Sequence, residues 1–168
     1  MFSGCEKIEN MTTYTIEGGK HYSNERKIVA VGNKIDFRFY VHKNWIYPAK
    51  HDVGWSKLIG LSHNVNVHAN SGRIAWRCRG GEHIRLAGYF YLNKHRYVYE
   101  FDRDYEIGEW YYGSVWFDDG YYNVMVDGEV KTHEFHWRDG DGTFFLCHPY
   151  FGGEQPAPHW LTFYFEWL

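Results

Sequence analysis

The segment RIAWRCRGGEHIRLAGYFYL, residues 73–92, alternates with period two on both sides of a Gly-Gly-Glu turn. In its first half Ile74, Trp76 and Cys78 fall on one side, and Arg73, Ala75, Arg77 and Arg79 on the other. In its second half Ile84, Leu86, Gly88 and Phe90 oppose His83, Arg85, Ala87, Tyr89 and Tyr91. Successive side chains of a strand point to opposite faces of a sheet, so the pattern predicts a hairpin with one apolar and one polar face.

The same signal recurs outward from this hairpin. Downstream, YVYEF, YEIGEWYYGSVWF, YYNVMV, VKTHEFHW, TFFLCH and WLTFYFEWL read as strands. Asp119-Gly120, Asp127-Gly128, Asp139-Gly140 and Asp141-Gly142 punctuate them, and Asp and Gly tolerate the positive φ that tight hairpin turns demand. Upstream, TTYTIEGG and KIVAVGNKIDFRFYVH read as strands, residues 44–60 as a long aromatic loop, and LSHNVNVH as a further strand. In that last strand Val65 and Val67 form the apolar set, opposite Asn64, Asn66 and His68. No window sustains an uninterrupted helical stripe. The chain is therefore predicted to be all-β: an antiparallel two-sheet sandwich of jelly-roll type, one domain over 1–168, with residues 1–54 the less regular part.

Composition narrows function by exclusion. A net charge of −3 leaves no electrostatic footprint for duplex nucleic acid. Aromatic content is 21%, more rings than one small core needs, so some are expected at the surface, where they can stack on sugars or bases. Three cysteines, Cys5, Cys78 and Cys147, are an odd count without framework spacing, which argues against a disulfide scaffold. No apolar run is long enough for a membrane-spanning helix. The opening MFSGCEK is similar to the end of a lipoprotein cleavage site but lacks basic and apolar regions before it. The expectation is cytoplasmic, or extracellular if an upstream segment has been removed.

If the strands around residues 61–92 are neighbours, one sheet face gathers Asn66, His68, Arg73, Arg77, Arg85, Tyr89 and Tyr91, with Ala75 and Ala87 leaving room above it. Arginine offers planar, paired donors to carboxylate or phosphate, and tyrosine a ring with a hydroxyl at its tip. Glu82 and Glu100 are the expected counter-charges. The face suits a carbohydrate or a small anionic ligand such as a nucleotide. A solvated face of an ordinary antiparallel sheet would carry the same residue types. A catalytic version uses His68 as base, Tyr89 or Tyr91 as acid, and Arg73 or Arg77 to neutralise a uronate for β-elimination. HEFH, residues 133–136, is a poor zinc motif, because His133 and His136 would face opposite ways on a strand. His148 and His159 flank the loop that begins at Pro149 and are near enough in sequence to meet across it, but structural roles are the expectation for both. No metal and no cofactor are expected, and a homo-oligomer is compatible with the chain.

Two resemblances add to this. Ser71, Arg73, Trp76, Arg77, Tyr89 and Tyr91, with the terminal Pro149-Tyr150-Phe151-Gly152-Gly153 run, resemble small β-sandwich proteins of gut Bacteroidetes and their phages. The resemblance spans roughly residues 55–168 and implies a concanavalin A-like jelly roll without implying an activity. More loosely, VNVH (65–68) and RLAGYFYLN (85–93) are similar to two strands of alginate-lyase-type polysaccharide lyases. Asn66 stands where those have Gln, and here the Arg strand follows the His. That likeness implies a binding cleft. The leading expectation is a non-catalytic, carbohydrate-binding β-sandwich. The alternatives are a polysaccharide lyase acting on acidic glycans and a phage protein that binds a nucleotide signal. The Pro149–Gly153 loop is expected to be a structural corner bordering the cleft.

Overall fold

The computed structural model describes residues 10–52, 54–63, 65–135 and 143–168. Among these it has twelve strands: β1 Met11–Ile16, β2 Ala30–Val31, β3 Lys34–Tyr40, β4 Ser56–Ser62, β5 Ser71–Arg79, β6 His83–Leu92, β7 His95–Tyr105, β8 Trp110–Asp118, β9 Tyr121–Val126, β10 Glu129–Glu134, β11 Phe144–Cys147 and β12 Leu161–Trp167. They make two antiparallel six-stranded sheets, ordered β1-β12-β3-β8-β9-β10 and β2-β11-β4-β5-β6-β7. The fold is a jelly-roll sandwich, as the alternation predicts.

The deciding hairpin forms in the predicted register. Arg73 pairs with Tyr89, Ala75 with Ala87 and Arg77 with Arg85. Ile74, Trp76, Cys78, Ile84, Leu86 and Phe90 all enter the core. Trp76 sits at its centre, 4.9 Å from Trp45 and 6.0 Å from Phe163 between ring centroids, so aromatic rings from both sheets interlock. Two Asp-Gly hairpins also form as read: Asp119 and Gly120 have φ of 47° and 80°, and Asp127 and Gly128 have 46° and 87°. A Cβ on Gly128 would meet nothing within 4 Å, so Gly128→Ala carries backbone strain alone. It should cost about 1–2 kcal/mol, read as a lower denaturant midpoint.

Two strand expectations and the aromatic loop are corrected. The strand placed at Leu61–His68 is instead β4, which lies largely inside the predicted aromatic loop and ends at Ser62. A bulge between Lys57 and Ile59 turns the consecutive Leu58 and Ile59 both into the core, which hides the alternation. Beyond Ser62, Asn66 takes the His68 amide on its side chain at 3.1 Å and the Ala69 amide on its carbonyl at 3.0 Å. This local turn replaces a ladder, and Val65 is 62% exposed rather than packed. The predicted run 105–117 is split: β7 continues through Tyr105, a turn with Gly108 at φ 87° follows, and β8 begins at Trp110. The rest of the aromatic segment forms two short 3-10 turns, Lys43–Trp45 and Ala49–His51, with Trp45 buried and its indole N–H on the Thr162 carbonyl at 2.8 Å. Cys5, Asn64, His136, Asp139-Gly140 and Asp141-Gly142 lie outside the described residues.

Candidate functional site

The outer face of the second sheet is set by register. Across β4, β5 and β6, Lys57 pairs with Ala75 and Ala75 with Ala87; one step along, Gly60 pairs with Arg73 and Arg73 with Tyr89. Cys147 of β11 pairs with Gly60 on the same side. Gly60 makes the space for the arginine, since a Cβ there would lie 2.5 Å from Arg73 Cγ. The predicted residues thus share one face, but that face is covered and divided rather than open.

At one end the charges are neutralised. Arg85 donates to Glu100 at 2.7 Å, to Asp104 at 3.0 Å and to the Phe101 carbonyl at 2.8 Å. Glu100 is therefore the expected counter-charge, whereas Glu82 lies 3.8 Å from His83 instead. Arg77 lies over the Trp55 ring at 4.6 Å. Neither Arg77 nor Arg85 lines the cleft described below.

The other end holds cations without counter-ions. Arg73 is 3% exposed, with its guanidinium 5.4 and 5.6 Å from the Tyr89 and Tyr91 rings. Its Nε and Nη2 have no hydrogen-bond partner among the described residues. Lys57, 6% exposed, lies over the Tyr89 ring at 4.5 Å and the Tyr150 ring at 5.7 Å, and its ammonium donates to the Trp55 carbonyl at 2.9 Å. Burial, reinforced by the charges of Arg73 and Arg96, pulls the Lys57 pKa down to about 7. Tyr89 is only 2% exposed, and burial pushes its phenol up to about 12. Its position beneath Lys57 means that removing it would cost stability as well as binding. The Tyr89 hydroxyl lies 3.4 Å from that of Tyr91, and the His68 ring meets Tyr91 edge-on at 5.2 Å. Partial burial and the charges of Arg73 and Lys57 hold His68 below its usual pKa.

Three chain segments close over this end. Tyr150 exchanges backbone hydrogen bonds with Lys57, at 2.8 and 3.0 Å, and bridges to Tyr22. Phe151 is buried against Tyr47 and Trp76, and Gly152 N–H reaches the Ser56 hydroxyl at 3.1 Å. The Pro149–Gly153 run is thus a structural corner that also walls the cleft. A Cβ on Gly152 would stand 2.2 Å from the Trp55 carbonyl oxygen. Gly152→Ala should therefore displace the corner, cost at least about 1 kcal/mol, and lower the thermal midpoint.

The resulting cleft has a volume of about 250 Å³. Arg73 lies at its base, and Tyr22, Tyr150 and His68 border it. Ile28, Val65, Val67 and Leu146 supply apolar wall, and Arg26 and Lys27 further positive charge. A wider hollow of about 570 Å³ lies on the first sheet, between Tyr40, His42, Trp110 and Tyr164. None of its lining side chains is a buried polar group left without a partner. The cleft above Arg73 is therefore the stronger candidate.

Of the predicted site residues, the structure brings together His68, Arg73, Tyr89 and Tyr91. Asn66 is exposed, occupied in its own turn, and absent from the cleft wall. His148 and His159 do not meet: each places Nε2 on a backbone carbonyl, of Lys27 at 2.8 Å and of Asn44 at 2.7 Å. Lys57 and Tyr22 are absent from the sequence reading, and Tyr150 enters it only as part of the corner bordering the cleft. The bulge removes Lys57 from any alternating pattern, and the two tyrosines arrive through long-range bridges that no local signal encodes. Among the described residues no group of His, Cys, Asp or Glu is placed to hold a metal.

No protein-family model matches the chain, and no curated protein matches it. Solved structures do. A functionally unknown protein from Saccharomyces cerevisiae is similar at TM-score 0.62 and 12% identity, over 95% of this chain and 87% of that one. A glycoside hydrolase family 16 protein of the Bacteroides ovatus mixed-linkage glucan locus is similar at TM-score 0.57 and 13% identity, over 92% and 78%. A Bacillus licheniformis β-glucanase is similar at TM-score 0.54 and 11% identity, over 95% and 81%. The jelly roll implied by the sequence resemblances is thus shared with these proteins, while neither the Bacteroidetes and phage group nor the lyases is matched by a family model.

Proposed function

We propose that this protein binds a saccharide in the cleft above Arg73. The observation that carries the reading is the cleft itself: exposed aromatic rings at its mouth, apolar wall, and polar donors converging beneath. Sugars present C–H faces that stack on rings and hydroxyls that need fixed hydrogen-bonding partners. The shared architecture of glucanases supports the reading. Binding is favoured over hydrolysis, because glycoside hydrolysis ordinarily uses two carboxylates flanking the bond. No Asp or Glu is among the described residues that line this cleft.

The test is calorimetric titration of the protein against a panel of oligosaccharides. Tyr22 is 57% exposed, so Tyr22→Ala should leave the thermal midpoint nearly unchanged while weakening binding about 2- to 10-fold. If no saccharide in the panel binds, the reading fails.

A second reading is favoured by the convergence of His68, Tyr91, Tyr89 and Arg73. An imidazole held below its usual pKa, beside two phenols above a guanidinium, has the parts for β-elimination from a uronate: base, acid and carboxylate neutraliser. Ultraviolet absorbance of the unsaturated product with uronate polymers tests it, and a flat trace with every polymer removes it.

A further inference from the structure

Resting on the saccharide reading, we infer that Arg73 and Lys57 form a carboxylate subsite, so that the sugar recognised is an acidic one. Arg73 is 3% exposed, and an arginine so buried without an ion pair costs several kcal/mol in a folded protein unless an anion completes it. None of the described residues does so. Arg85 is held by two carboxylates, whereas half-buried Arg77 is stacked on Trp55 and has only its Nε without a partner among the described residues. Arg73 has only ring faces.

The two unpartnered atoms are informative as a pair. Nε–H and Nη2–H lie on the same edge of the planar guanidinium and point in parallel, which matches the two oxygens of one carboxylate. Lys57 lies on the neighbouring strand, over the same Tyr89 ring as Arg73; its ammonium does not line the cleft and donates to the Trp55 carbonyl, but it adds positive charge behind Arg73. The nearest carboxylate in sequence to the cleft wall, Glu25, spends an oxygen on the amides of Arg26 and Lys27, at 2.9 and 2.7 Å.

Charge balance selects a carboxylate over a phosphoryl group. Lys57 is half-neutral near pH 7, so the buried pair offers between one and two positive charges, enough for a monoanion. A sugar carboxylate brings one negative charge, whereas a terminal phosphate brings nearly two.

The test compares oligogalacturonate, oligoglucuronate and oligomannuronate with their methyl esters, which keep every hydroxyl and remove only the charge. At least one free acid should bind about 10- to 100-fold more tightly than its ester. Arg73→Gln should erase that difference between acid and ester. Acid and ester binding equally overturns the carboxylate subsite while the saccharide reading stands. Neutral oligosaccharides binding with no acid binding does the same. A mononucleotide that binds Arg73-dependently when no acid sugar does would assign the subsite to phosphate and overturn both. The ester comparison needs only the unaltered protein, so it decides the matter even if Arg73→Gln misfolds.

Discussion

Replacing Lys57 with methionine should stabilise the unliganded protein by roughly 2–4 kcal/mol near pH 7. Lys57 is nearly fully buried, and its pKa falls from the ordinary 10.5 to about 7. Between those values the unfolded chain holds a proton that the folded chain does not. Stability therefore rises with pH where the unfolded state binds more protons, from about 7 to about 10.5, and the penalty is full below that window. Methionine keeps an unbranched stem of similar length between Tyr89 and Tyr150 and removes the ammonium. It also gives up the bond to the Trp55 carbonyl, which is why the expected gain is smaller than the pKa shift alone would imply.

Denaturant midpoints measured across pH 7–10 for both proteins give the check. The advantage of the variant should be largest at pH 7 and shrink steadily toward pH 10. Cys147 works the other way above about pH 9, because burial pushes its thiol up to about 11, but both proteins share it and it cancels in the difference. A variant less stable than the parent at pH 7 would mean that Lys57 is charged and paired in the native state. The same substitution should weaken binding of an acidic sugar, so stability and affinity move in opposite directions at one residue. That opposition is the signature of a binding site rather than of a packing position.

Acid should open the fold at the opposite end of β4 through His63. This imidazole is enclosed by Phe117, Phe144 and Tyr122 at 4.5, 4.6 and 5.2 Å, and its Nδ1 is 2.7 Å from the Tyr122 hydroxyl. Burial lowers its pKa from 6.5 to about 4. As pH drops from about 6.5 to about 4, the unfolded chain takes up a proton that the native state refuses, and up to about 3 kcal/mol is lost. His63→Phe removes the titration. It should cost about 1–2 kcal/mol at pH 7, for the lost hydroxyl partner and the larger ring. It should also flatten the stability curve between pH 6.5 and 4. Carboxylate titrations are common to both proteins, so the difference curve isolates the histidine. Parallel curves would place the proton elsewhere.

The residues that were legible from the sequence are those whose chemistry is local. Period-two alternation placed Ile74, Trp76, Leu86 and Phe90 in the core and put Arg73, Tyr89 and Tyr91 on one shared face, because pleating leaves an extended chain no other arrangement. Asp-Gly pairs marked two hairpins for the same reason: few residues accept the backbone angles such turns require. Where geometry broke the period, the reading broke with it. The bulge at Lys57–Ile59 concealed β4, and the side-chain turn at Asn66 made a loop out of residues that alternate like a strand.

What the sequence by itself determined is the class of fold and the side of the sheet from which each β5 and β6 residue projects. What only the tertiary structure decided is whether that side is solvent, packing or site. Arg77 and Arg85 look like Arg73 in sequence, yet Arg77 is half-buried and stacked on Trp55, Arg85 is paired with Glu100 and Asp104, and Arg73 is fully buried with a whole edge of its guanidinium unpartnered among the described residues. The difference comes from segments far away in the chain, around Tyr22 and Tyr150, folding over one end of the sheet. A side chain's free energy depends on what surrounds it, and contacts made across more than a hundred residues leave no trace in local pattern.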